Sequence, residues 1–209
     1  MEIRPLSDAL GAEISGFDLR DLANDPSPVN AIYGALNDHV VVVLRDQRIS
    51  PAEYVEAMRH FGTLAPQNHI HELHRDHPEI FVIDSREGKR DKDGKRIIFG
   101  ANSWHTDHTN QQRPPKITAL HAQLLPRTGG DTCFANAYLM YERLPETRRR
   151  ELDRLRTVNG ADKHMAIESL DANAFAHSAI HPLVRRHPET GRHALYVHPL
   201  KMQRIENMD

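Results

Sequence analysis

The chain has 209 residues, the length of one domain or of a large part of one. With 39% hydrophobic and 27% charged residues it can bury a core, so disorder is not expected. The net charge of -2 gives no reason to expect a nucleic-acid or membrane-surface partner, and no apolar run has the length of a membrane span. The N-terminus lacks the features of a signal peptide, and the single cysteine excludes a disulfide framework and a cysteine-based zinc site. We therefore expect a cytoplasmic protein.

The first third of the chain predicts two strands and two helices. Residues 12–20 alternate apolar and polar side chains, which indicates a short strand. The pair Ser27-Pro28 predicts a helix start, with the serine as N-cap and the proline in the first turn. The β-branched run 40–44 predicts a strand buried on both faces. The segment 50–53 has the Ser-x-x-Glu pattern of a capping box and predicts a helix that stops at Gly62.

The remaining elements are predominantly strands. We predict strands at 79–84, 117–125 and 194–197, and a charged helix over 144–156. Residues 86–96 are mostly charged and predict an exposed loop or hairpin tip. Strands outnumber helices, and the helices lie mainly near the start of the chain. This pattern favours a mainly β fold, a β-sandwich or jelly roll, with helices packed outside it.

The sequence Trp104-His105-Thr106-Asp107 has the strongest chemical signal. An imidazole and a carboxylate two positions apart can bind one metal ion from the same side where the backbone is extended. They are two of the three side chains of the 2-His-1-carboxylate site that holds non-haem Fe(II). A His-x-Asp pair also arises by chance in many chains, so the pair alone does not decide between a metal site and an ordinary segment.

Two other segments are candidates for ligand contacts. Gly129-Gly130 predicts a tight turn with positive φ, and the nearby Thr132 hydroxyl could donate to a carboxylate. Four histidines crowd the segment from His69 to His77. That segment is either a polar surface loop or the lining of a pocket that binds an anion.

The order of these segments resembles the taurine dioxygenase / 2,4-dichlorophenoxyacetate dioxygenase (TauD/TfdA) family of Fe(II)- and 2-oxoglutarate-dependent oxygenases. The matching stretches are residues 11–19, 42–47, 61–62, 104–107, 128–132, 181–185, 190–192, 194–197 and 203–205. Because the likeness runs along nearly the whole chain in order, it is more specific than any single motif. It implies one domain of this family over residues 1–209, with a double-stranded β-helix (jelly-roll) core, in a cytoplasmic homo-oligomer.

The resemblance also implies a cofactor set and a reaction. His105 and Asp107 would be ligands of Fe(2+), and Thr132 would donate a hydrogen bond to the distal carboxylate of the cosubstrate 2-oxoglutarate. With O2, such an enzyme hydroxylates a small organic substrate and releases succinate and CO2.

For the substrate, the resemblance points to an anion. His71 matches a histidine that contacts the anionic head of the substrate in taurine dioxygenase. His74 falls where that enzyme has a tyrosine, which leaves a sulfonate preference open. Asn102 lies close to the metal motif and is a further candidate for the pocket lining. A sulfonate, an aryloxyalkanoate or a related small anion is therefore expected.

One departure from the family concerns the far end of the site. The family's second iron histidine and its 2-oxoglutarate arginine lie well beyond the Ala-Leu-Tyr-Val strand, and this sequence ends at Asp209 before either. The four histidines at positions 181, 187, 193 and 198 do not align with that ligand. We therefore expect a C-terminally incomplete jelly roll. The alternative is a non-catalytic or truncated member of the fold with a decayed metal site. A zinc hydrolase using His69–His77 lacks the supporting His-Glu-x-x-His pattern.

Overall fold

The computed structural model describes residues 1–65, 73–84, 103–160 and 178–208. The chain divides into two compact units that interleave along the sequence. Unit 1 comprises residues 1–64, 116–146 and 186–195, and unit 2 comprises residues 65–115, 147–185 and 196–209. Within the described ranges, no helix is long and apolar enough to cross a bilayer.

Unit 1 contains a three-stranded sheet and its covering helices. Strand β1 (Glu2–Pro5) is antiparallel to β2 (Ala12–Ser15), which is parallel to β3 (Val42–Leu44). The helical elements that follow these strands are a 3-10 helix (Leu19–Ala23), α1 (Pro28–His39) and α2 (Pro51–Arg59). The buried side chains form two apolar clusters: Ile14, Ile32 and Ala35 in one, and Leu19, Leu22, Ile49 and Ala57 in the other.

The start of α2 follows the predicted capping box. The Ser50 hydroxyl accepts the N–H of Glu53 at 3.3 Å, and the Glu53 carboxylate accepts the N–H of Ser50 at 2.7 Å. Two of the donors left open at a helix N-terminus are therefore satisfied by residues three apart in the sequence. The helix ends at Arg59, slightly before the predicted stop at Gly62.

Helix α1 begins at Pro28 as predicted, but the role expected of Ser27 is wrong. The Ser27 side chain makes no capping hydrogen bond, and its N–H donates to the Asp25 carboxylate at 2.9 Å. The serine backbone is already helical, so its hydroxyl lacks the extended geometry that N-caps use.

Two predicted strands of unit 1 are shorter than expected. The strand over 12–20 ends at Ser15, and the strand over 40–44 begins only at Val42. Helix α1 continues to His39, and Val40 takes a left-handed φ of 68° that turns the chain toward β3. Strand β3 lies at the end of the strand order and is half-buried, so the prediction of burial on both faces is wrong.

The predicted strand 117–125 is also wrong. Its residues have no regular secondary structure and join no ladder in the described chain, and Leu120, Leu124 and Leu125 are 64–70% exposed. A β-prone run becomes a strand only where a neighbour supplies its hydrogen bonds. After this segment come α3 (Ala137–Glu142), which was not predicted, and α4 (Glu146–Leu152), the shorter form of the helix expected over 144–156.

Unit 2 has its own antiparallel sheet. Strand β4 (Arg156–Asn159) lies between β5 (Ala179–Pro182) and β8 (Met202–Ile205). On the central strand, the Asn159 amide donates to the Thr157 hydroxyl at 2.9 Å, and both side chains are buried. Thr157 lies opposite His181 of β5, so this sheet fixes the position of a buried histidine.

Strands β6 (Val184–Arg186) and β7 (His193–Leu195) form a hairpin, and one predicted strand is lost. The strand expected over 194–197 begins and ends earlier, as β7. The strand predicted at 79–84 is reduced to an isolated bridge between Leu73 and Phe81. The charged segment 86–96 lies outside the described residues.

Candidate metal centre

The imidazole of His105 is oriented by a carbonyl two residues before it. Its Nδ1 lies 2.9 Å from the Ser103 carbonyl oxygen. A carbonyl can only accept, so Nδ1 carries a proton, and Nε2 is the ring nitrogen left for a metal. Metal-ligating histidines are commonly held in this way, with the second ring nitrogen donating to a backbone carbonyl.

The carboxylate of Asp107 lies at the free end of this ring. Its Oδ1 is 3.2 Å from Nε2 of His105. Two donor atoms that each lie about 2.1 Å from one ion, at right angles, are roughly 3.0 Å apart. The spacing therefore fits two adjacent ligands of one divalent cation. The two side chains are 31% and 43% exposed, so solvent reaches both.

The local backbone explains how the pair meets. Residues 104–106 are irregular, residues 107–110 form a turn, and His108 takes a left-handed φ of 52°. The Gln111 N–H donates to the His108 carbonyl at 2.9 Å and closes the turn. The two side chains therefore meet where the chain enters a turn, and not on the shared face of an extended strand.

His181 braces the turn that follows Asp107. Its Nε2 donates to the Gln111 carbonyl at 2.9 Å, and the side chain is 5% exposed. Burial lowers the pKa of this imidazole, and the positive charge of Arg185 acts in the same direction. The hydrogen bond occupies Nε2, so His181 acts on the site through the turn.

Tyr196 is an unpredicted neighbour of the pair. Burial raises the pKa of its hydroxyl, and the Asp107 carboxylate adds to this effect while Arg185 opposes it. The ring makes an edge contact with His181 at 5.3 Å, and the Arg185 guanidinium lies 4.5 Å from the ring centre. The hydroxyl is buried, and the Arg185 side chain is its polar neighbour. The sequence placed this residue in the strand expected over 194–197 and gave it no role at the site.

His198 is a second histidine beside the predicted ligand His105. Its ring centre lies 5.7 Å from that of His105, with a 47° angle between the planes. Among the described residues, however, no group of three His, Cys, Asp or Glu side chains is arranged to hold a metal ion. The structure therefore brings together His105 and Asp107, with His198 beside them.

Of the other predicted site residues, the structure describes Thr132 and His74. Thr132 is exposed in unit 1, after Gly129 and Gly130, which both have the predicted positive φ (73° and 77°). His74 accepts the Asp76 N–H at its Nδ1 and contacts the ring of His77. The ligand roles of Thr132 and His74 stay predictions.

Three residues of these predictions cannot be placed. His71 and Asn102, expected in the substrate pocket, lie outside the described residues. The same holds for His69, so the histidine cluster is seen only at its His74–His77 end. That end is a turn closed by a hydrogen bond from the His77 N–H to the His74 carbonyl.

Comparison with known proteins identifies the class. Residues 2–209 match the family described as "Taurine catabolism dioxygenase TauD, TfdA family", and the chain belongs to it. The fold is that of the TauD-type dioxygenases, so the expected mainly β jelly roll with outer helices is confirmed. A taurine dioxygenase structure from Burkholderia xenovorans aligns with a TM-score of 0.74 and 30% identity, covering 100% of this chain and 66% of that one.

Two relatives indicate which chemistry the family includes. An alkylsulfatase of Acinetobacter baylyi is 34% identical, with 93% of this chain and 62% of that protein covered. An alpha-ketoglutarate-dependent sulfate ester dioxygenase of Pseudomonas putida is 31% identical, with 93% of this chain and 65% of that protein covered. The chain thus spans somewhat less than two thirds of the length of these relatives.

Proposed function

We propose that the protein is a Fe(II)- and 2-oxoglutarate-dependent dioxygenase that hydroxylates a small anionic organic substrate. The observation that carries the proposal is the His105–Asp107 pair. One nitrogen of the ring is oriented by the Ser103 carbonyl, and the other lies 3.2 Å from a carboxylate oxygen. Membership of a dioxygenase family gives this pair its most direct interpretation.

The residues of the chain would hold the metal and its cosubstrate. When bound, ferrous iron with 2-oxoglutarate and O2 supplies an oxidant that hydroxylates a C–H bond, with release of succinate and CO2. His105 would bind through Nε2, since the Ser103 carbonyl already holds Nδ1. Asp107 contributes a negative charge that favours a divalent cation. Thr132 is proposed to donate to the distal carboxylate of 2-oxoglutarate.

The substrate class is proposed from relatives and residues together. The names of two relatives specify a sulfate ester and an alkyl sulfate activity. We propose a sulfate ester, a sulfonate or a related small anion for this chain, with His71, His74 and Asn102 in the pocket. We also propose a cytoplasmic homo-oligomer, because the resemblance to the family implies one.

Metal binding by the 209-residue chain tests the proposal. Co(II), an oxygen-stable substitute for Fe(II), is titrated calorimetrically into the wild-type chain and into His105→Gln, Asp107→Asn and His193→Gln. The first two variants should lose at least about 10–100-fold in affinity, which is the loss typical even of residues that only support a ligand. The exposed His193 lies in unit 1 and serves as the matched control.

The same titration separates the alternative function. A non-catalytic member with a decayed metal site would bind Co(II) equally weakly in all four proteins, and that result would refute the proposal. Because no group of three candidate ligands is found among the described residues, we expect little succinate from the 209-residue chain with Fe(II), ascorbate and 2-oxoglutarate. Sustained turnover would contradict that expectation by requiring a third ligand within these residues.

A further inference from the structure

His198 is a buried histidine that the proposed metal chemistry does not use. It is 5% exposed and lies in unit 2, shortly after β7 and before β8. Its ring centre is 5.7 Å from that of His105. A buried polar side chain beside a candidate ligand has either a structural role in its own turn or a role toward that ligand.

The turn around His198 holds the ring in one orientation. Its Nδ1 accepts the N–H groups of Leu200 and Lys201, both at 3.2 Å. A backbone N–H can only donate, so Nδ1 of His198 carries a lone pair. The proton of the ring is therefore on Nε2. The His198 carbonyl in turn accepts the Met202 N–H at 2.8 Å, at the first residue of β8.

The turn is tied to the rest of unit 2 at two further points. The Gly160 N–H donates to the Lys201 carbonyl at 2.9 Å, at the end of β4. The Lys201 ammonium donates to the Asn110 side chain at 3.3 Å, three residues after Asp107. A ring fixed at Nδ1 within such a turn has little freedom to move away from its neighbour.

We propose that His198 is a positioning residue for the metal ligand His105, an inference that rests on the proposed function. The ring of His105 is held at Nδ1 by the Ser103 carbonyl, and the His198 ring packs against it. Together these contacts limit both the rotation and the tilt of the ligand. The Nε2 lone pair is then aimed at the metal before the metal arrives, which lowers the ordering cost of binding.

Two substitutions separate the turn function of His198 from its positioning function. In His198→Asn, the amide oxygen can accept the same two backbone N–H groups, as asparagine does in Asx turns, but the ring against His105 is lost. In His198→Phe, an aromatic ring remains but the acceptor for the turn is lost. The two variants should therefore rank in one order for the stability of the fold and in the opposite order for metal affinity.

The measurements are the melting temperature of the metal-free chain and its Co(II) affinity. Positioning predicts that His198→Asn melts close to wild type but binds Co(II) about 10–100-fold more weakly. It also predicts that His198→Phe melts lower than His198→Asn yet binds Co(II) more tightly. If affinity instead follows melting temperature in both variants, or if His198→Asn binds like wild type, the inference is overturned.

The chain offers a matched control in unit 1. His187 also accepts, at its Nδ1, the N–H groups of the residues two and three ahead, Glu189 and Thr190, at 3.4 and 3.3 Å. His187→Asn makes the same substitution in the same kind of turn and should leave Co(II) affinity unchanged. A different result would refute the proposed function. In that case His105→Gln would bind Co(II) as tightly as wild type, independently of the His198 variants.

Discussion

Removing the side chain of Gln47 should destabilise unit 1 more than its half-buried position suggests. Its Oε1 accepts the Leu19 N–H at 2.8 Å, and its Nε2 donates to the carbonyls of Phe17 and Arg45 at 2.9 and 2.8 Å. One amide group thus joins the segment after β2, the start of the 3-10 helix and the end of β3. Gln47→Ala would leave all three backbone groups without this partner.

The size of the effect follows from the number of these hydrogen bonds. Each contributes about 0.5–1.5 kcal/mol net, and three would give about 1.5–4.5 kcal/mol. The residue is half-buried, so water can reach part of the site and replace some of these bonds. We therefore expect the free energy of unfolding to fall by roughly 1.5–3 kcal/mol, toward the lower end of that sum.

Urea unfolding of the purified chain, followed by circular dichroism, measures this change. Gln47→Glu is a sharper version, because the carboxylate keeps the acceptor for Leu19 but faces two carbonyls that need a donor. Gln123→Ala is the control, since Gln123 is exposed and its amide contacts only the His121 ring among the hydrogen bonds described. A loss for Gln47→Ala no larger than that for Gln123→Ala would refute the reasoning.

Two other predictions concern stability. Ser50→Ala removes the capping hydroxyl of α2 and should lower the free energy of unfolding by about 1 kcal/mol. Ser27 makes no capping hydrogen bond, so Ser27→Ala should lower it less. Equal losses in urea unfolding would contradict the assignment. Burial lowers the pKa of His181 below its ordinary value of 6.5. Below pH 6.5 the unfolded chain therefore binds more protons than the folded chain. The free energy of unfolding then falls as the pH drops toward the lowered pKa. Between pH 7 and 5.5 the chain should lose more stability than His181→Gln, which keeps a donor for the Gln111 carbonyl. His193→Gln should behave like wild type, and parallel losses in all three proteins would show that His181 is not the cause.

Features that depend on residues close in the sequence were predicted correctly, whereas a strand that needs a distant partner was not. The capping box of Ser50 and Glu53, the Pro28 helix start and the Gly129-Gly130 turn were all predicted correctly, because each depends on residues within a few positions. The expected strand 117–125 was wrong for the opposite reason. Its composition favours a strand, but a strand forms only where another part of the chain pairs with it.

The chemistry of the site divides in the same way. His105 and Asp107 were found from the sequence, because their separation is local and the residue types suit a metal. The hydrogen bond to the Ser103 carbonyl and the ring contact with His198 depend on a turn and on a distant segment, and no spacing rule predicts them. Residue type and local spacing therefore determined the candidate ligands, His105 and Asp107. Tertiary packing decided that the His198 ring lies against His105, since that ring comes from a distant segment that only the fold brings there.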